Sequence, residues 1–340
     1  MMIALTTRYL GLELDHPIVP GASPLADELD TVLRLEDAGA SAIVMRSIFE
    51  EQIELEQMAA HRHIDVDLGP EAGRAFVDSP AFALGLDSYL EQIRRIRERT
   101  RLGVIGSLNG TTPGGWLEYA RRIEQAGAHA LELNLYSIAA DDQRSATQIE
   151  ARQIAIVRSV TSSVSLPVGV KLSPFYSALP SFVSALAAAG AQAAVVFNRL
   201  YQADIDPERL EAQRTLRLSS PDELLLRLRW LAILSAQPRI TARGAPFELA
   251  ASGGVHEPIH VIKALMAGAT VVQAVSSLLI HGPSHLRGLV EGLRHFLEDH
   301  EYPSLDALRG NMNLARTPNP SVYERADYIH LLSSWHGRVG

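Results

Sequence analysis

The chain has 340 residues, 47% of them hydrophobic and 21% charged, and its formal net charge is −8. That length and apolar content support a large buried core, which excludes a chain disordered throughout, and the absence of cysteine excludes disulfides, thiolate zinc sites, iron–sulfur clusters and thiol nucleophiles. The acidic balance, with no basic stripe, argues against nucleic acid or an anionic membrane as a partner and leaves small molecules.

Met1 to Leu10 carries no basic-then-apolar leader pattern, and no apolar run reaches the roughly 18 residues that span a bilayer. The expectation is a cytoplasmic protein. Residues 1–16 read as a small extension closing the N-terminal mouth of a barrel. Beyond them, short apolar runs alternate with amphipathic stretches, the pattern of βα units around a parallel sheet. The run 17–22 precedes a helix over 28–38, and 41–45 precedes one over 89–99. Next come 102–107 with 116–126, 128–135 with 149–160, and 167–171 with 179–189. The last three pairs are 191–197 with 222–235, 247–252 with 258–267, and 270–275 with 283–297. Eight such pairs predict an α/β fold of the (β/α)8 TIM-barrel type, with an N-terminal extension and a C-terminal tail. Residues 1–313 read as a single barrel domain and 314–340 as the tail, packed outside the barrel or on a second subunit. The phrases AGASAIV, AGAHALEL, AGAQAAVV and AGATVV each stop a helix at Ala-Gly just before a buried strand, where glycine fits the left-handed helix end. Two long segments, 46–84 and 199–220, come after strands and so lie on the face where barrels bind ligands.

Candidate site residues are those where an apolar run turns polar: Ala22 and Ser23, Arg46 and Ser47, Ser107 and Asn109, Asn134 and Ser137, Lys171, Asn198, Ser252 with Gly253 and Gly254, and Ser276. Cations, amides and hydroxyls without a carboxylate cluster make a poor metal site and a good one for a planar, hydrogen-bonding ligand. The Ser252-Gly253-Gly254 turn offers bare backbone N–H groups, and Val275-Ser276 at the eighth strand completes a phosphate cradle. Only two of the 31 basic residues are lysines, Lys171 and Lys263. Lys171 ends the fifth strand, where a compact ammonium does what a guanidinium cannot; Lys263 lies mid-helix and reads as a solvated face. His61, His63, Asp65 and Asp67 read as a solvated loop, and His256 as a helix start.

Together these pieces resemble the dihydroorotate dehydrogenase family of FMN-dependent barrels, particularly its class 1 members. The resemblance runs over residues 5–313 and rests on PIVPGAS, ELNL, PVGVKLSPF, the asparagine of VVFNRL, SGGV, AGATVVQ and YPSLDALRGNMN. It implies FMN across the barrel mouth. Ser252, Gly253, Gly254, Val275 and Ser276 would hold the phosphate, the ring would rest near Ala22, Ser23 and Ser47, and Lys171 would sit at the ring's N1–C2=O edge or the ribityl chain. Asn134 and Asn198 match amides that bind a pyrimidine-like substrate, Arg46 stands where the family has a lysine, and Ser137 falls at the catalytic base, which removes a proton from C5 of dihydroorotate. The resemblance also implies a homodimer, and without cysteine for an iron–sulfur relay the expected electron acceptor is a soluble one or a separate redox partner. The chain departs from the pattern at Ser137-Ile138-Ala139, at Val77 and at Leu218-Ser219-Ser220, so substrate amides and a phosphate turn are altered. Two other readings stay open from the sequence: an aldolase forming a Schiff base on Lys171, and a non-catalytic flavin-binding subunit of a redox complex.

Overall fold

The computed structural model describes residues 3–51, 85–110, 113–135, 138–140, 142–199, 204–213, 216–242 and 244–333. Eight parallel strands form the core: β1 (Ile18–Pro20), β2 (Ala42–Val44), β3 (Gly103–Asn109), β4 (Ala130–Asn134), β5 (Val168–Leu172), β6 (Ala193–Val196), β7 (Glu248–Ser252) and β8 (Val271–Ala274). Their hydrogen-bonded order is β1-β8-β7-β6-β5-β4-β3-β2, and the two end strands lie against one another, so the sheet curls into a nearly closed barrel. The helices α1 (Leu29–Asp37), α2 (Leu86–Arg99), α3 (Pro113–Gln125), α4 (Ala146–Thr161), α5 (Leu179–Ala188), α6 (Leu224–Ser235), α7 (Pro258–Met266) and α8 (His285–Asp299) come after the strands in turn. The eight alternating pairs legible in the sequence are therefore the TIM barrel expected, with boundaries shifted by a few residues.

Strand residues alternate between two cores, because successive side chains point to opposite faces of a sheet. Val104, Leu108, Leu131, Leu133, Val170 and Val272 face outward and pack under the helices. Val19, Ala42, Val44, Ile105, Ala130, Val195, Ala250 and Val271 face inward and fill the lumen. Small residues on the inner face leave room that the N-terminal extension fills. It is a hairpin of Thr7–Tyr9 and Leu12–Leu14 whose turn, Leu10-Gly11, has φ of 47° and 76°. Tyr9, Leu10 and Leu14 are fully buried with the inner core. A Cβ on Gly103 would sit 2.7 Å from Leu12 Cδ1, and one on Gly169 3.2 Å from Leu10 Cδ1, so these inner glycines make space for the plug. The backbone N–H of Leu10 donates to Glu248 Oε2 at 2.7 Å, tying the hairpin tip to β7. This closes the N-terminal mouth, as the sequence led one to expect.

The segment after β2 adds a short strand, Ile48–Phe49, beside Leu108 and Asn109 of β3. After β6, an exposed hairpin pairs Asp204–Asp206 with Glu211–Gln213. Beyond α8, the backbone N–H groups of Gly310, Met312 and Leu314 donate to Leu265, Met266 and Ala232, so this stretch runs over the ends of α7 and α6. No helix among the described residues is long and apolar enough to cross a membrane.

Candidate active site

The inward parity of each strand carries polar residues toward the C-terminal mouth. In β3, Ile105 faces the lumen, so Ser107 and Asn109 do too; in β4, Ala130 is followed by Glu132 and Asn134. Parallel register sets Ser107 opposite Glu132, Asn134 opposite Lys171, and Ser252 opposite Gln273. Above an apolar floor there is thus a polar layer.

Its deepest part joins three strands. The Lys171 ammonium lies 3.4 Å from Glu132 Oε1 and donates to Gln273 Oε1 at 3.3 Å, while Gln273 Nε2 donates to Glu132 Oε2 at 2.6 Å. Lys171 is 5% exposed, and Glu132 and Gln273 1% each. β4 and β8 stand four places apart in the ring of eight, so the Gln273–Glu132 bond crosses the lumen. Among the described residues Glu132 Oε1 accepts no hydrogen bond, and the Tyr9 hydroxyl below it is also buried and unpartnered. Burial, with the charges of Glu132 and Glu248, pushes the Tyr9 phenol well up, so it remains a neutral hydroxyl. From the sequence, no carboxylate cluster is expected on this face, and the structure adds a carboxylate that was not among the candidate residues: Glu132 sits directly beside the Lys171 ammonium.

Nearer the mouth, Asn198 Nδ2 donates to Asn134 Oδ1 at 3.1 Å, bringing together the two amides assigned to a substrate. Asn109 is buried and its Nδ2 has no partner among the described residues. The Ser47 and Ser107 hydroxyls are 2.6 Å apart, and Tyr89 fixes Ser107 by accepting from its N–H at 2.9 Å and donating to its carbonyl at 3.1 Å. Burial pushes the Tyr89 phenol up as well. Arg46 pairs with Asp27 at 2.8 Å. Burial raises the Asp27 carboxyl, and the Arg46 guanidinium opposes that rise. Ser23 is buried with an unpartnered hydroxyl, and Ala22 beside it is half-buried.

Between β7 and β8 the chain makes the glycine turn the sequence pointed to. Gly253 and Gly254 have φ of 95° and 80°, a region L-residues rarely occupy. A Cβ on Gly254 would come within 2.5 Å of the Leu224 backbone nitrogen, and one on Gly253 within 2.9 Å of Arg227 Nη2. The start of α6 therefore lies directly against the turn. Arg227 is held there by the carbonyls of Ser252 and Glu223, at 3.0 and 2.7 Å. Ser219 bridges the two sides: Gly254 N–H donates to its hydroxyl at 3.2 Å, and that hydroxyl donates to Ser276 Oγ at 2.8 Å. Val275 packs over Gly21, whose Cβ would meet Val275 Cγ2 at 2.8 Å. Ser277, next to Ser276, is buried with its hydroxyl unpartnered.

His256 stands one residue ahead of the α7 cap, and its backbone N–H donates to His260 Nδ1 in the first turn at 3.3 Å. The His256 Nε2 donates to the Ser219 carbonyl at 2.7 Å, and the capping box is made by Glu257 and His260. Lys263 is exposed on α7, as expected. Ser137, Val77 and the His61, His63, Asp65 and Asp67 group lie outside the described residues. Looking only for strand ends that turn polar passes over Glu132, Gln273, Ser219, Arg227 and Asp27. The first two carry a legible signal: each is two residues from another lumenal residue on its own strand, Asn134 or Val271.

Comparison with known proteins agrees with this geometry. A family model described as dihydroorotate dehydrogenase matches residues 4–214. The catalytic subunit of dihydroorotate dehydrogenase B (NAD(+)) from Thermoplasma acidophilum is 26% identical over 91% of this chain and 99% of its own length. The same subunit from Geobacter sp. is 27% identical over 78% of this chain and 90% of its own. The chloroplastic dihydropyrimidine dehydrogenase (NADP(+)) of Arabidopsis thaliana is 20% identical over 90% of this chain and 76% of its own.

Proposed function

The chain belongs to the dihydroorotate dehydrogenase family, whose members are oxidoreductases acting on CH–CH donors, and we propose that it uses FMN to oxidise dihydroorotate or a related cyclic CH–CH bond. The observation that carries this reading is the lumenal layer itself: a clamped ammonium beneath a mouth lined by amides and hydroxyls. The residues present fit a flavin. Among the described residues, Asn109 Nδ2 at the end of β3, Ser23 Oγ just beyond β1 and Ser277 Oγ in the short helix after β8 are buried polar atoms without partners, a cost that a ligand with polar edges removes. Gly254 N–H, Ser219 Oγ and Ser276 Oγ converge at the turn where a phosphate would be held, with Arg227 behind it.

FMN, when bound, supplies the hydride acceptor. Lys171 presents a fixed positive charge where negative charge develops, and its tethers mean that little reorganisation accompanies the reaction. Asn134 and Asn198 orient the substrate ring, and the buried, unpartnered Asn109 amide is a third group for it. Ser137 removes the proton from the substrate carbon. Arg46, tied to Asp27, offers the substrate a guanidinium whose charge is already partly balanced, which favours a ring recognised by its amide edges. The Schiff-base reading loses support, because such an amine must approach a carbonyl freely and Lys171 is tied on two sides. A separate redox partner suits a chain without cysteine, and the Thermoplasma relative is itself named a catalytic subunit.

The test is anaerobic reduction of the purified protein. It should carry FMN or take it up, and dihydroorotate should bleach the flavin band. Bound FMN that no dihydropyrimidine reduces would remove the substrate assignment, and protein that binds no FMN would remove the cofactor. Ser137→Ala should slow that reduction by about 10²–10⁴-fold with FMN retained.

A further inference from the structure

Lys171 is not a free point charge. Glu132, Gln273 and Lys171 form a closed three-way contact across the lumen, with each side chain of the trio almost wholly buried. The Gln273 amide has only one orientation that serves both neighbours: its oxygen accepts from the ammonium while its nitrogen donates to the carboxylate. That leaves Glu132 Oε1 facing Lys171 with no hydrogen-bond donor of its own, so the carboxylate's charge is directed at the ammonium. Buried ion pairs of this kind are weak sources of stability, and a lumen filled by apolar side chains would fold as well. The presence of a buried anion beside the cation therefore points to a role in function.

We infer that Glu132 is a positioning residue that holds the Lys171 ammonium at the flavin edge and offsets part of its charge, thereby setting how easily the bound flavin is reduced. Gln273 is the tether that fixes the geometry of both. This rests on the FMN reading above and adds to it a residue that acts through Lys171. Removing the carboxylate's charge leaves Lys171 uncompensated and favours reduced flavin; removing the ammonium does the opposite. Among the described residues, the other titratable groups near the trio are the Tyr9 and Tyr89 phenols, both of which feel the Glu132 charge, and Glu248 beside Tyr9.

The experiment compares FMN-loaded wild type with Glu132→Gln, Glu132→Asp and Lys171→Met by sulfite titration and by dye-equilibrated midpoint potential. Glu132→Gln should tighten sulfite binding at least about tenfold, equivalent to a rise of about 30 mV for a two-electron couple. Lys171→Met should move both readouts the other way, and Glu132→Asp, which keeps the charge, should stay within about twofold of wild type. Opposite signs are the signature, since general loosening of the site would move all variants in one direction. Unchanged potential in Glu132→Gln with FMN bound, or a shift of the same sign in Lys171→Met, overturns the inference while leaving the function standing. Should Glu132→Gln not hold FMN, Glu132→Asp decides: a value within about twofold of wild type beside a shifted Lys171→Met supports the inference, and a shift as large as that of Lys171→Met and of the same sign overturns it. Wild-type protein that binds no FMN overturns both.

Discussion

Replacing Lys171 with methionine isolates the energetics of the lumenal trio. At 3.4 Å and an effective dielectric of about 20, the attraction between the Lys171 ammonium and Glu132 is about 5 kcal/mol. Desolvation of the two ions costs several kcal/mol, so the intact pair contributes little net stability. Breaking it is another matter, because Glu132, 1% exposed, then keeps its charge with only the Gln273 amide as a partner. Lys171→Met is expected to destabilise the flavin-free protein by about 3–5 kcal/mol. Adding Glu132→Gln to that variant removes the stranded charge and should return a large part of the loss, giving a coupling of about 1–3 kcal/mol in a double-mutant cycle. Urea unfolding curves of the four proteins, with no flavin added, measure this. Additive single and double variants, with coupling under about 0.5 kcal/mol, would show that the pair is not electrostatically linked.

The plug, the glycine turn and a buried histidine each carry a further expectation. Leu10→Ala empties the hairpin tip inside the inner core and should cost about 2–5 kcal/mol in urea unfolding; a loss below about 1 kcal/mol would mean the plug is dispensable. Gly254→Ala combines a positive φ with a Cβ placed 2.5 Å from backbone and should cost on the order of 1–3 kcal/mol and weaken FMN retention, read by urea midpoint and by flavin content. His16 is buried, with Nε2 donating to the Gly39 carbonyl at 2.7 Å and Nδ1 accepting from the Ile18 N–H at 3.2 Å, so its neutral form is the one built in. Burial lowers its pKa, against a smaller upward pull from the Gly39 bond. A base depressed in the folded state stabilises above its unfolded pKa of about 6.5, and that stability drains away as pH falls below this value through the folded pKa. His16→Gln should flatten the pH dependence of the urea midpoint in that window, and an unaltered slope would refute the assignment.

The barrel was legible because its signal is local and repeated. Each Ala-Gly helix stop before a buried strand, and each apolar run of strand length, arises from short-range backbone and packing preferences that survive without tertiary information. The strand-end residues Asn134, Lys171, Asn198 and Ser276 were likewise readable, since an abrupt change from apolar to polar marks the end of a buried strand. Glu132 and Gln273 escaped that rule because they lie inside strands rather than at their ends. Only their spacing of two from Asn134 and Val271 marks them as lumenal.

What the sequence alone determined is the fold class and, at the strand ends, many of the polar groups on the face proposed to carry the site. Tertiary structure decided which of these groups meet. Lys171, Glu132 and Gln273 come from three strands, two of them on opposite sides of the ring, and nothing along the chain specifies that their ends converge. The same holds for Ser219, which looked like a lost phosphate turn and instead bridges Gly254 to Ser276. Barrel closure is the physical reason: strand order and register turn residues 102 to 141 positions apart into hydrogen-bonded neighbours.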